Sequence, residues 1–332
     1  MGYKESRGLN VLYSFKDLSN KNYRDYSSRI VDTNIRGLNK ALLLRCSKQL
    51  REAFEEMNPH PELQPFFLEG IGMAAAISDN FMPRFIPLLK RDLLSDLLQD
   101  FGSGHQEFIL RGAGRGLAEI PPFNLYSIVE KYPPSVRWFI IDGYGFQRGY
   151  FSIPKNRSSY NSPNFRYPYF ERAYAQGLAG CLGFYLADQP HLATEYIKRM
   201  SGFDPYDLWS GLGSTVALLG AMDLESYLIW LNSDSSLKPY LATGIAFAAR
   251  LLIPAGFNYQ HLDEYAKNVW GLTAKDLAHR ILGLQEYLKS SKMIDQSLYD
   301  INTDYQILRD TVLEEFINGS RLKNFTDRSG SD

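Results

Sequence analysis

Glu69, Arg111 and Asp142 each stand immediately before a glycine, in the phrases Glu69-Gly70-Ile71-Gly72, Arg111-Gly112-Ala113-Gly114 and Asp142-Gly143-Tyr144-Gly145. Two carboxylates and a guanidinium held together away from water can move protons. Burial raises the proton affinity of a carboxyl group and a nearby guanidinium lowers it, so one acid of such a set can stay protonated near neutrality. Arg111 also suits a polar head group, through charge-assisted hydrogen bonds. The other reading of the same residues is an ion-pair ladder that stitches neighbouring elements together. Asp142, Glu69 and Arg111 are the candidate catalytic residues. Rings flank these phrases and their relatives, among them Tyr144, Phe146, Tyr150, Trp209 and Phe247, and the chain holds 20 Phe and 22 Tyr in 332 residues. Such rings either fill a core or wall an apolar cavity fit for a long hydrophobic ligand or a cationic intermediate.

The phrase is not confined to these three places. It recurs as Arg36-Gly37, Gln176-Gly177-Leu178-Ala179, Ser210-Gly211-Leu212-Gly213 and Thr243-Gly244-Ile245-Ala246. Its first glycine falls at 37, 70, 112, 143, 177, 211 and 244. A recurrence of roughly 34 residues is the signature of stacked helical hairpins. The expected fold class is all-α, a helical-hairpin repeat built as an α-solenoid or α/α superhelix. Equivalent positions of successive repeats then stack roughly 10 Å apart, which would set the polar residues before the glycines in one row. A glycine inside a helix costs about 1 kcal/mol relative to Ala. Close approach of a neighbouring helix, or of a ligand, is the natural reason to keep it.

Residues 1–29 read as an extended or loosely helical lead-in, 30–285 as the repeat domain, 286–320 as a C-terminal capping helix region and 321–332 as a disordered tail. Turns are expected at Ser78-Asp79-Asn80, Ile120-Pro121-Pro122, Asp188-Gln189-Pro190 and Ala221-Met222-Asp223, each followed by a second helix. The segment from Phe151 to Phe170 breaks the rhythm with prolines and rings, and reads as a lid or partner surface. The apolar stretch from Tyr240 to Phe257 contains Arg250 and Pro254 and reads as a buried helix, not a membrane span.

Composition excludes several classes. Lys and Arg number 36 against 37 Asp and Glu, a net charge of −1, and the basic residues are scattered, so nucleic acid is not an expected partner. Cys46 and Cys181 lie in different repeats, which suggests a reducing compartment, and no signal peptide opens the chain. The expectation is a soluble cytoplasmic protein. Asp92, Asp96 and Asp100 form an acidic stripe at helical spacing, read as a solvated face and not a Mg²⁺ site. His191 with Glu195, and His261 with Glu264, lack a third ligand for zinc or iron. Gly112-Ala113-Gly114-Arg115-Gly116 sits inside a helical repeat and not after a strand, so nucleotide binding is not expected. No metal and no cofactor is assigned.

The run Asp142-Gly143-Tyr144-Gly145-Phe146-Gln147-Arg148-Gly149-Tyr150-Phe151, with Asp207-Leu208-Trp209-Ser210-Gly211-Leu212-Gly213 downstream and Phe67-Leu68-Glu69-Gly70-Ile71-Gly72-Met73-Ala74 upstream, resembles a bacterial family. It is catalogued as domain of unknown function 1702 and is often encoded in enediyne and related polyketide gene clusters. The resemblance covers roughly residues 30 to 285. Gln147 stands where that family usually has His, and an amide cannot take over a titrating role. The resemblance implies natural-product biosynthesis in a bacterial cytoplasm. Together with the flanking rings it makes Tyr144, Phe146, Gln147, Arg148, Tyr150, Asp207, Trp209 and Ser210 the candidate substrate-binding residues.

Two functions remain open on the sequence. The first is an enzyme that cyclises or isomerises a hydrophobic polyene or prenyl-type chain, free or carrier-bound, without a cofactor. The second is a non-catalytic scaffold that binds a polyketide synthase or another pathway protein, since helical repeats offer extended binding surfaces.

Overall fold

The seam glycines show why they tolerate a helix interior. A Cβ built on Gly112 would run into the carbonyl of Glu69, one on Gly143 into that of Arg111, one on Gly177 into that of Asp142, and one on Gly211 into that of Gln176. Each glycine therefore lies directly against the backbone of the residue that precedes the glycine one repeat earlier. The cost of glycine in a helix is offset by a helix contact closer than any side chain would allow.

The computed structural model describes residues 21–44, 46–56, 60–81, 92–120, 125–153, 163, 165, 167–186, 188–220, 222–290 and 304–318, and among them it shows helices and no strand. Numbered in chain order, the long helices are α1 (Lys21–Leu44), α3 (Gln64–Phe81), α5 (Gln106–Leu117), α7 (Pro134–Ser152), α8 (Pro168–Leu186), α10 (Pro205–Leu219), α12 (Lys238–Leu252) and α14 (Ala274–Ser290). Each packs against the next in that series. Shorter helices stand between them in the chain: α2 (Ser47–Glu55), α4 (Leu93–Phe101), α6 (Leu125–Val129), α9 (Pro190–Arg199), α11 (Leu224–Ser233) and α13 (Gln260–Trp270). Helix α15 (Asp304–Ile317) comes last.

The seams also fix direction. Gly112 meets Glu69 and Gly116 meets Met73, so α3 and α5 run parallel; Gly145 on Tyr174 and Gly149 on Leu178 say the same of α7 and α8. Parallel neighbours need a return element, and among the described residues a shorter helix stands between each pair of successive long helices except α7 and α8. Sequence-coded ends hold them: Asp92, Asp204 and Asp223 accept hydrogen bonds from the first-turn N–H groups of Ser95, Tyr206 and Ser226. Gly220 and Gly271, with φ of 59° and 70°, close α10 and α13 in the left-handed conformation.

The series curls back on itself. Arg250 on α12 pairs with Glu107 on α5 at 2.9 Å. The Phe257 ring meets His105 and Phe108 edge-on, and Tyr259 Oη donates to the carbonyl of Pro61 at 3.4 Å. The long helices thus surround an interior into which α1, α3, α5, α7, α8 and α10 all contribute side chains.

Several expectations need correction. The described part of the lead-in 1–29 is helical, one of the two forms expected of it, and belongs to α1 from Lys21; residues 1–20 lie outside the described residues. Ser78-Asp79-Asn80 is not a turn, because α3 continues to Phe81, although Asp79 still works as a junction by accepting N–H bonds from Leu93 and Leu94. Helix α14 runs through the boundary drawn at 285. Helix α15 does more than cap the end of the stack, since it also reaches α7 in the middle of the series. Most of the Phe151–Phe170 segment, and the tail 321–332, lie outside the described residues; Phe165 and Tyr167 pack on α6 and α8. The stretch read as a buried helix is α12, buried through Leu241–Leu252.

Gly177→Ala is expected to lower stability by about 1–3 kcal/mol or more, because the intruding Cβ meets backbone and not a flexible side chain. Gly283→Ala, at a helical site with open space around it, should be neutral or gain up to about 1 kcal/mol. Urea unfolding midpoints of the two variants check both outcomes.

Candidate functional site

Because each seam glycine rests on the backbone of the polar residue one repeat back, those polar residues become neighbours. Glu69, Arg111 and Asp142 are all buried and meet directly. Arg111 Nη1 lies 3.3 Å from Glu69 Oε1, and Arg111 Nε lies 2.8 Å from Asp142 Oδ2. The next members of the row continue it differently. Gln176 accepts a hydrogen bond from Tyr305 Oη, and Ser210 accepts one from Arg309, both donors belonging to α15. Arg36 is exposed and Thr243 bonds back to its own helix at Pro239, so three members of the row, Glu69, Arg111 and Asp142, are joined directly and two more, Gln176 and Ser210, are held by α15.

The carboxylates are held unequally. Glu69 is gripped by two guanidiniums, with Arg115 Nη1 at 2.6 Å from Oε2 in addition to Arg111. Asp142 is paired with one guanidinium, that of Arg111, whose Nε lies 2.8 Å from Oδ2, and it also feels the charge of Arg309. Burial pushes the Asp142 carboxyl above the usual aspartate range, the guanidinium of Arg111 opposes this, and the charge of Glu69 adds to it. Burial thus favours the protonated form of Asp142. Arg111 is itself driven further toward its charged form by Asp142 and Glu69, against the effect of burial. Its guanidinium and that of Arg115 lie over the Phe146 ring, at 5.1 and 5.0 Å from the centroid.

Two cavities open on this cluster, and Arg111 and Thr215 line both. One is a narrow cleft walled by Trp138, Phe139, Asp142, Gln176, Phe247 and Arg250. The other, also narrow, is mostly apolar and is bounded by Phe66, Phe146, Tyr150, Phe184, Leu218 and Leu219, with Glu69 and Arg115 at its polar edge. Arg250 is fully engaged, donating from Nε to Gln285 and from Nη1 to Glu107.

Of the candidate substrate-binding residues, Phe146 and Tyr150 line the second cavity. Gln147 is buried beside it, where it accepts from Arg115 Nε at 3.0 Å and donates to Glu119 at 2.6 Å. It joins the cluster as a neutral bridge. Asp207 and Ser210 are buried but face α15, with Asp207 between Arg172 and Arg309. Tyr144, Arg148 and Trp209 are not brought to the cavities. Positions 144 and 148 fall on the far side of α7 from Asp142, where Tyr144 sits against Tyr174 and Arg148 is exposed. Trp209 faces Trp230 of α11.

Sequence reasoning missed Trp138, Phe139, Arg115, Gln176 and Arg250 as cavity residues. A usable signal existed for two of them: Trp138 and Arg115 stand four residues from Asp142 and Arg111, hence on the same helix face. Nothing local marked Tyr305 or Arg309. The acidic stripe is capping and surface, as Asp92 caps α4 and Asp100 binds Ser47. No cluster of three His, Cys, Asp or Glu suited to a metal occurs among the described residues, and none of their helices is long and apolar enough to cross a membrane.

The pattern shared by proteins of unknown function grouped as DUF1702 matches residues 14–316. The chain belongs to the DUF1702 family. No curated protein and no solved structure matches it. The match spans every residue placed in the cluster and both cavities, so the DUF1702 region and the described helices coincide.

An acid whose folded-state proton affinity is raised makes the native protein bind a proton that the unfolded chain releases. Stability is then lost as pH rises from about 4, the ordinary aspartate value, to the folded value of Asp142. Glu107, also raised by burial against the opposing charge of Arg250, acts with the same sign. Asp142→Asn should flatten this decline, while Glu107, Glu315 and Asp79, the last pushed up to about 6 by burial, leave a residual slope. Urea midpoints of both proteins measured across this range test it.

Proposed function

We propose that this DUF1702 protein is an enzyme that isomerises or cyclises a hydrophobic polyene or prenyl-type chain, free or carrier-bound, by proton transfer at Asp142. The architecture is read as an α/α superhelix of helical hairpins, with the seam helices lining the interior. The observation that carries the proposal is the placing of the buried Asp142 carboxyl, beside Arg111, at the wall of an aromatic-lined cleft.

The reaction class follows from the parts. An Asp142 carboxyl next to Trp138, Phe139 and Phe247 can give its proton to one carbon of a double bond. The resulting positive charge would be spread over the chain and met by ring faces. The carboxylate then takes a proton from a neighbouring carbon, so the substrate's composition is unchanged and the acid is restored. Arg111 faces the same cleft and suits an anionic or strongly polar head group. The apolar chamber beyond Arg111 and Thr215, with Phe66, Phe146, Phe184 and Leu218, suits the hydrocarbon remainder. Asp142 is thus the proton donor and acceptor, Glu69 positions the two arginines, and Arg111 holds the head. Origin in a polyketide or related natural-product pathway belongs to this reading and rests on the family resemblance.

The scaffold reading finds less support. Leu43, Ile229, Tyr287 and Ile317 are the large apolar side chains exposed among the described residues, and they sit on four different helices. A docking face needs a contiguous patch.

The test uses deuterated water. Wild type incubated with a prenyl diphosphate and, separately, with a linear polyene carboxylic acid should return isomerised or cyclised product carrying deuterium. Asp142→Asn should lose about 10²–10⁴-fold in rate, the usual contribution of a positioned acid or base. Deuterium uptake that persists unchanged in folded Asp142→Asn, or no turnover of either chain by folded wild type, would overturn the proposal.

A further inference from the structure

Arg309, the most deeply buried cation among the described residues, sits on α15 and reaches into a site built by others. Its guanidinium meets Asp207 and Ser210 of α10, lies 4.5 Å from the Tyr206 ring centroid and 5.3 Å from that of Tyr305, and has no exposure. One turn earlier, the Tyr305 ring stacks on Trp138 at 3.9 Å and meets Phe247 edge-on, and its hydroxyl binds Gln176. Trp138, Gln176 and Phe247 line the cleft that holds Asp142, and Tyr305 lies on them from outside that lining. Helix α15 therefore covers the cleft where the first turns of α7 and α10 and the early part of α8 come together.

The way charge is divided across this contact points to a part that detaches. The body contributes Arg172 and Asp207, which are bonded to each other at 3.2 Å. Helix α15 contributes Arg309 and the adjacent Asp310, the latter reached by Arg172 Nη2 at 3.1 Å. Each side is neutral by itself, so separation strands no buried charge without a partner in the body. Breaking an ordinary buried pair leaves such a charge, and that is what makes it costly. The attachment is part polar and part apolar: Tyr206 Oη donates to the Arg309 carbonyl at 2.8 Å and Arg309 Nε remains buried without a partner, while Leu308 and Val312 are buried and Phe316 meets Trp270 edge-on. The seam helices, by contrast, are joined backbone to backbone.

We propose that α15 is a gate over the interior, latched by Arg309 on Asp207 and Ser210, and that it opens as a unit while the seam helices stay folded. The proposal does not rest on the reaction assigned above, since it concerns access to the interior and not what happens there.

Hydrogen exchange of the full-length protein, followed peptide by peptide, tests it without any substrate. In wild type, amides of α15 should exchange at least about tenfold faster than those of α10 and α12, with little dependence on low urea, as local opening requires. Asp310→Asn, on the half-exposed rim, should speed exchange in α15 alone. Arg309→Met should do so more strongly and increase binding of the apolar dye Nile red, whereas Arg309→Lys, which keeps the charge, should fall between. Exchange of α15 in step with α10 and α12 in wild type and in Asp310→Asn would overturn the gate and make α15 a fixed wall. The same follows if Arg309→Met unfolds the whole chain while Asp310→Asn leaves α15 unchanged.

Discussion

Contact between the backbones of successive long helices is the constraint on which the molecule depends. Glycine at 112, 143, 177 and 211 removes the side chain that would hold the helices apart, and the carbonyl of the previous repeat fills the space. Register follows at once, because a seam one residue out of step would drive a Cβ into a carbonyl. Parallel direction, return helices and a shared interior are consequences of that register.

The same contact accounts for the charge cluster. The residue before each glycine has its carbonyl under the next glycine, so its side chain is delivered beside the corresponding side chain of the next helix. Glu69, Arg111 and Asp142 meet for that reason, not through any local motif. Burying such a set is costly unless the charges are paired. Arg115 completes the pairing of Glu69, and the neutral amide of Gln147 in turn binds Arg115.

Much of this was legible in the sequence. The recurrence of glycine at near-constant spacing foretold helices, close packing and the meeting of Glu69, Arg111 and Asp142. What local phrases foretold less well was which face of a helix looks inward. Tyr144, Arg148 and Trp209 stand in conspicuous motifs yet point away from the cavities, while Trp138 and Arg115, in unremarked positions, line or border them. The helical angle from Asp142 decides this, and adjacency in a motif does not. The place of α15 was illegible for a different reason. Arg309 and Asp207 are about a hundred residues apart in sequence and are joined by tertiary contact alone.

The common direction of the seam helices has an electrical effect of its own. Peptide dipoles aligned along neighbouring axes reinforce one another, giving a positive rim where the helices begin and a negative one where they end. The shorter helices contribute no residue to the lining of the two cavities. The hollow is thus polarised along its length by main-chain atoms, whatever side chains line it. An elongated guest with unlike ends would have one favoured way round.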